Sequence, residues 1–313
     1  MCGSGSFENM LKRTERFMMN NLSECTLCPR KCKADRNNGI VGFCGASRQI
    51  KLARAALHFW EEPCISGEHG SGTVFFSYCT MKCVFCQNYD ISTLNKGKII
   101  TESELADIFL DLQEQGANNI NLVTPTHYVP QIIAALDNAK AHGLTLPILY
   151  NTSGYENTET IKMLNGYIDI YMPDMKYFDD KYAVKYSNAP HYFEIAAAAI
   201  HEMYNQVSAP VFSKNGIMQR GMIVRHLMLP GLLFDTKKIM DYLHTEYGNN
   251  IYVSLMSQYT PLPHVHRFPE LNRKLNPRQY AAMIDYCANL GMENVFVQEG
   301  EAADESFIPS FNE

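Results

Sequence analysis

Cys79, Cys83 and Cys86 fall within eight residues of the stretch SYCTMKCVFCQNYD, spaced C-x3-C-x2-C. Thiolates this close are metal ligands by type and spacing. Zinc is one occupant, because C-x2-C pairs are common zinc ligands, but a closed tetrahedral site needs four donors. No second C-x2-C or H-x3-H pair follows nearby to complete it. An iron–sulfur cluster is the other occupant, and it ordinarily takes four thiolates, one per iron. Three thiolates would leave one iron with a vacant position, open to a substrate or cofactor.

A second group precedes it. CTLCPRKC followed by GIVGFC sets Cys25, Cys28, Cys32 and Cys44 within twenty residues. Four ligands suffice for a structural zinc or for a second iron–sulfur cluster. Clustered thiols in a reducing compartment argue for metal rather than disulfides. Cys2, Cys64 and Cys287 are scattered and read as small apolar residues. His264 and His266 form an H-x-H pair, but Pro261, Pro263 and Pro269 around it indicate a loop.

These groups need a scaffold. The 313 residues, 46% hydrophobic and 19% charged, permit a large buried core. The net charge of −6 carries no long run of one sign, which weighs against nucleic acid or an anionic membrane as partner. No apolar run approaches a membrane span, and the N-terminus lacks the apolar stretch of a secretory signal, so a cytoplasmic location is expected. Short apolar runs at 73–76, 119–123, 147–150, 167–172, 222–228 and 251–256 read as strands. Amphipathic segments lie between them. Thr101 and Glu104 make a capping box that opens one such helix, and Gly116 closes it. Pro130 opens the next, and further helices are expected at 157–164, 179–186, 191–207, 235–247 and 277–290.

Alternating strand and helix implies an α/β fold with a parallel sheet and right-handed crossovers. Six such units predict a partial (β/α)6 barrel, with functional groups at the C-terminal strand ends. An open doubly wound sheet has the same periodicity. The expected division is a Cys-rich extension over residues 1–70, a core barrel over 71–265, and a helix and strand over 266–313 that complete or cover it. Cys79 follows directly on the first barrel strand.

At this point the residues resemble a known family. C-x3-C-x2-C with Phe85 before the last cysteine resembles the signature of the radical S-adenosylmethionine (radical SAM) superfamily. The stretch from Trp60 to Asn88, together with VTPTHYVPQI, YNTSGYE, PDMKY, RHLMLPG and SQYTP, resembles the pyruvate formate-lyase-activating-enzyme-like proteins. The resemblance implies a partial barrel whose [4Fe–4S] cluster sits on Cys79, Cys83 and Cys86, with S-adenosylmethionine (SAM) chelating the unique iron. It further implies reductive cleavage of SAM to methionine and a 5′-deoxyadenosyl radical that abstracts hydrogen from a substrate. That substrate would be a glycine of a glycyl-radical enzyme, or a peptide or small molecule modified directly. A non-catalytic iron–sulfur or zinc module is the reading from another class. An electron donor such as flavodoxin or ferredoxin is the implied partner.

Two departures stand out. Tyr78 occupies the place where activating enzymes usually carry glycine, and Thr124-Pro125-Thr126-His127 replaces the superfamily's Gly-Gly-Glu. The resemblance therefore leaves the backbone of Thr124, Pro125 and Thr126 to bind the SAM amino group, without the usual glutamate. It also implies that Asn151 and Ser153 lie on the ribose side and that Arg225 contacts the methionyl carboxylate, while Gln258, following the sixth strand, is placed to reach the ribose. Asp174 can accept from ribose hydroxyls, and Lys176 can neutralise the carboxylate. His127 and His226 offer proton donors or ligands, although a hydrogen-bonded structural histidine reads equally well.

Overall fold

A computed structural model describes residues 22–298. Cys2 and the outer parts of the two expected end segments, 1–21 and 299–313, lie outside the described residues.

The chain enters through β1 (Ile50–His58), α1 (Pro63–Ser66) and β2 (Ser71–Phe76). It continues through α2 (Tyr89–Ser92), β3 (Lys98–Ile100) and α3 (Glu102–Glu114). Next come β4 (Ile120–Val123), α4 (Val129–Ala141), β5 (Ile148–Thr152), α5 (Thr158–Met163) and β6 (Ile170–Pro173). Two helices follow, α6 (Asp180–Ser187) and α7 (Tyr192–Val207), then β7 (Val211–Phe212) and β8 (Met218–Leu227). α8 (Leu233–Tyr247), β9 (Tyr252–Met256), α9 (Pro277–Leu290) and β10 (Val295–Val297) complete it.

The local signals that make these elements are simple. Thr101 accepts from the Glu104 backbone N–H while the Glu104 carboxylate accepts from that of Thr101, so α3 starts with both donors satisfied. Leu105, Phe109 and Leu112, on one face of α3, are buried. Each such side chain contributes about 1.5–3 kcal/mol by leaving water. β2, β4 and β6 are buried along their whole length, as parallel strands covered on both faces must be.

Seven strands run parallel in the order β2-β4-β5-β6-β8-β9-β10. β1 joins β2 antiparallel, and β3 joins β1. Among the described residues β10 and β3 are the ends of the sheet, so the barrel is partial and unclosed. The expected boundary at residue 70 falls just before a strand that is hydrogen-bonded to β1, so the preceding segment is continuous with the sheet.

That segment also fills the barrel from within. Side chains alternate across a strand, so Leu149, Ile170, Met172 and Ile223 point inward with Asn151, Asp174 and Arg225. Cys64 and Ile65 of α1 pack on those four apolar residues. The Asn119 and Asn118 amides donate to the carbonyls of Ile65 and Ser66 at 2.9 and 2.6 Å. Gly67 then turns the chain out at φ +47, where a Cβ would come within 2.5 Å of Ile217. Residues 60–66 therefore form a plug inside the sheet.

Candidate active site

Above the plug, at the C-terminal strand ends, lies a cavity of about 550 Å³. Cys79, Cys83 and Cys86 line one wall. The sulfurs accept hydrogen bonds: Cys79 from the Met81 N–H at 3.4 Å, Cys83 from the Ser187 hydroxyl at 2.9 Å, and Cys86 from the Ser92 hydroxyl at 3.4 Å and from the Asn88 backbone. Burial pushes the Cys83 thiol up to about 12, with Lys176 opposing. Burial and Cys79 push Cys86 up to about 11. Bare thiolates are unfavourable here, and a bound positive metal centre would reverse the balance. Among the described residues no three His, Cys, Asp or Glu side chains gather tightly enough for one metal ion. Thiolates on a cluster each meet a different iron and need not converge in that way.

The residues expected to hold the cofactor divide. Thr124, Asn151, Ser153, Asp174, Lys176, Arg225 and Gln258 all line the cavity with the three thiols. Pro125 and Thr126 do not. Thr126 is buried behind the wall and donates to Glu156 at 2.6 Å. Thr124 takes φ +57, a left-handed conformation, and its N–H donates to Asn151 O at 2.9 Å. Gly154 brings the loops after β5 and β6 together, since a Cβ there would lie 2.2 Å from Asp174 O.

Lys176 Nζ and Asp174 Oδ2 pair at 2.7 Å. Burial works to lower the lysine, but Asp174 and the Cys83 thiol prevail and hold it above the usual range. Gln298, which sequence reasoning passed over, accepts from the Gln258 N–H at 3.1 Å and donates to its side chain at 3.0 Å.

Arg225 is engaged differently from what the resemblance implies. Its guanidinium donates to both oxygens of Glu62, at 2.8 and 2.5 Å, and also to Glu61. Burial opposes the charge on Arg225, yet the two carboxylates raise its pKa further. Burial likewise opposes ionisation of Glu62, and Arg225 prevails to keep it lowered. Both acids belong to the plug, in the WEEP stretch that resembles the family without having suggested a role. Their signal was two adjacent acids beside a tryptophan and a proline, too common a pattern to single out.

Tyr78, where the resemblance leads one to expect glycine, takes a positive φ of +77. It does not line the cavity. Its ring packs on Gly45, lies 5.6 Å from the Lys51 ammonium and meets His127 edge-on at 6.3 Å. His127 and His226 also lie off the cavity and are structural. His127 Nε2 bonds Ser77 O at 2.8 Å, and burial holds its pKa down at about 3. His226 bonds Met175 O at 2.7 Å and the Thr236 hydroxyl at 3.0 Å, and burial holds it at about 4. His264 stacks on Tyr89 at 4.4 Å, and His266 bonds its own turn at Pro263 O.

In the N-terminal group Cys25, Cys28 and Cys44 are buried and Cys32 is exposed. Burial pushes Cys28 up to about 12, with Cys44, Cys25 and Glu156 adding. Arg36, 1% exposed, spans from Ser47 O to His127 O and approaches Cys25 Sγ at 3.8 Å. It fastens this group to the turn after β4.

A model of the radical SAM superfamily matches residues 73–243, from β2 into α8. The chain belongs to the radical SAM superfamily. Membership brings SAM-dependent radical chemistry and implies a [4Fe–4S] cluster and SAM as cofactors. Over 300 residues this radical SAM chain is 25% identical to the uncharacterized protein MJ0674 of Methanocaldococcus jannaschii, covering 92% of this chain and 81% of that one. It is similar to SuiB of Streptococcus suis bound to its precursor peptide SuiA, at 13% identity and a TM-score of 0.48. That match covers 72% of this chain and 47% of SuiB, so the chain spans about half of SuiB's length. It is also similar to methylornithine synthase, at 16% identity and a TM-score of 0.48, covering 74% of each chain. No helix among the described residues is long and apolar enough to cross a membrane.

Proposed function

We propose that this chain cleaves SAM reductively and uses the resulting radical to abstract hydrogen from a substrate held in the same cavity. The carrying observation is that three thiols from one loop share a 550 Å³ cavity with seven of the nine residues expected to hold SAM. Cys79, Cys83 and Cys86 would hold the cluster, with Ser187 and Ser92 hydroxyls supporting two of the sulfurs. Lys176 and Asp174 offer a cation and an acceptor, and Asn151, Ser153 and Gln258 offer neutral hydrogen-bonding groups. When bound, the cluster and SAM supply a one-electron cleavage and a carbon radical able to take hydrogen from an unactivated C–H bond. The protein's part is to orient the substrate and exclude water. A flavodoxin or ferredoxin is the class of donor suited to deliver the electron.

The test is anaerobic reconstitution, reduction with dithionite and assay for 5′-deoxyadenosine and methionine. A fully loaded cluster that neither binds nor cleaves SAM would leave a non-catalytic module. The motif likeness to activating enzymes offers a glycine of a glycyl-radical enzyme as substrate. Direct modification of a peptide or small molecule is the alternative. Adding a candidate glycyl-radical partner and reading its radical by electron paramagnetic resonance separates the two. We further infer that Cys25, Cys28, Cys32 and Cys44 hold zinc or a second iron–sulfur cluster, which metal and sulfide counts would identify.

A further inference from the structure

We propose that Arg30 is a positioning residue for the barrel cluster and tunes its reduction potential through hydrogen bonds that end on the cysteine sulfurs. It acts through the peptide between Thr80 and Met81 and through the end of α6. This rests on the reading that Cys79, Cys83 and Cys86 hold a [4Fe–4S] cluster.

Arg30 belongs to the N-terminal group, between Cys28 and Cys32, yet its guanidinium reaches the barrel loop. Its Nε donates to Thr80 O at 3.0 Å. Thr80 O and the Met81 N–H are the two ends of one peptide unit, and that N–H donates to Cys79 Sγ at 3.4 Å. A cation bonded to the carbonyl end polarises the peptide, and the hydrogen bond made by its other end strengthens.

A second contact repeats the arrangement at another sulfur. Arg30 Nη2 donates to Asn188 O. Asn188 closes α6 in the left-handed conformation, at φ +51. It directly follows Ser187, whose hydroxyl donates to Cys83 Sγ at 2.9 Å. Both bonds of the guanidinium therefore land beside a residue that touches a cluster sulfur. The Phe43 ring at 3.9 Å and the Tyr155 ring at 5.4 Å hold the guanidinium in place. Phe43 precedes Cys44, so the cysteine-rich segment supplies both the cation and a face that fixes it.

Hydrogen bonds to the sulfurs help set the potential of such a cluster. They favour the reduced form, which carries one more negative charge, so Arg30 makes the cluster easier to reduce. The electron comes from the external donor, and no bond or proton changes at Arg30.

The experiment is an anaerobic redox titration of the full-length, cluster-loaded protein, read by electron paramagnetic resonance of the reduced cluster. A parallel series with SAM identifies the barrel cluster by the change SAM makes in its signal. Arg30→Gln is expected to lower the reduced-to-oxidised ratio at fixed potential by about tenfold, equivalent to about 59 mV for one electron. Arg30→Lys keeps the charge but not the fork that spans both carbonyls, so it should fall between the two. Lys82→Gln removes another cation of the same loop, one that lies over Phe43 at 5.0 Å. Its partly exposed charge is screened, so a shift under about twofold is expected. An unmoved ratio in Arg30→Gln with full iron and sulfide overturns the proposal, because a purely structural clamp alters loading or stability and leaves the potential alone. Equal shifts in Arg30→Gln and Lys82→Gln also overturn it, by reducing the effect to net charge. If Arg30→Gln loads no cluster, Arg30→Lys decides, and a wild-type ratio there overturns the proposal. Wild-type protein that loads no cluster fails the functional reading itself, whereas a loaded cluster with an unmoved potential loses this inference alone.

Discussion

The two cysteine groups use the same residue type in opposite settings. Cys79, Cys83 and Cys86 face a cavity, on a loop that follows a barrel strand. Cys25, Cys28 and Cys44 are buried against the turn after β4, which Arg36 binds to them, and Cys32 alone of that group is exposed. Thiols beside open space can share a metal with a small molecule, whereas thiols enclosed by chain can only organise that chain. Three ligands against four already distinguished the groups in the sequence, and what surrounds each set of sulfurs agrees.

The sharpest way to break the comparison is to remove one sulfur from each group. Cys83→Ala is expected to abolish 5′-deoxyadenosine formation, while Cys28→Ala leaves the barrel cluster loaded. Iron and sulfide counts check this, and equal loss in both variants would show that the groups are not separate sites.

Next in size is the plug that closes the cavity from below. Arg225→Met leaves Glu61 and Glu62 buried without their cation, so a loss of about 3–5 kcal/mol is expected in urea unfolding. A loss under 1 kcal/mol would mean that water, not Arg225, neutralises the acids.

Glu156 probes the enclosed side, where it adds to the field on Cys28. Burial raises its carboxyl to about 7 from an ordinary 4.5, and hydrogen bonds from Thr126 and Thr152 only partly restrain the rise. The folded state therefore holds a proton that the unfolded state has released, and stability falls as pH rises from about 4.5 to about 7. Glu156→Gln should be nearly neutral at pH 4.5. It should stabilise at pH 8, by up to about 3 kcal/mol on that shift. Unfolding at the two pH values reads the difference, and identical curves would mean that Glu156 ionises normally.

The smallest effect calibrates the rest. Thr101→Ala removes the capping box of α3, far from both groups, at a cost of about 1 kcal/mol. SAM cleavage should not change.

Much of this architecture was legible beforehand. The six expected strands coincide with β2, β4, β5, β6, β8 and β9, because parallel strands buried on both faces read as apolar runs. The helices 157–164, 179–186 and 191–207 begin and end within about two residues of α5, α6 and α7. β1 was missed for a physical reason. IKLARAALH is half-exposed for most of its length, so neither alternation nor a continuous apolar run marks it. The cavity residues were legible where they followed strands, as with Asn151, Asp174 and Gln258. Glu61, which lines the cavity, and Glu62, buried beside it on Arg225, were not, because they come from a segment preceding the first barrel strand. Only the fold shows that this segment turns inward.

That inward turn has a consequence for synthesis. Glu62 leaves the ribosome 163 residues before Arg225, its partner across the lumen. During that interval two acids and the apolar side of α1 wait without the wall that will cover them. Long-range closure of this kind is slow, and it makes the N-terminal segment the last part of the lumen to be secured. A fragment beginning at Ser71 would leave Arg225 an unmatched interior cation above an empty apolar pocket.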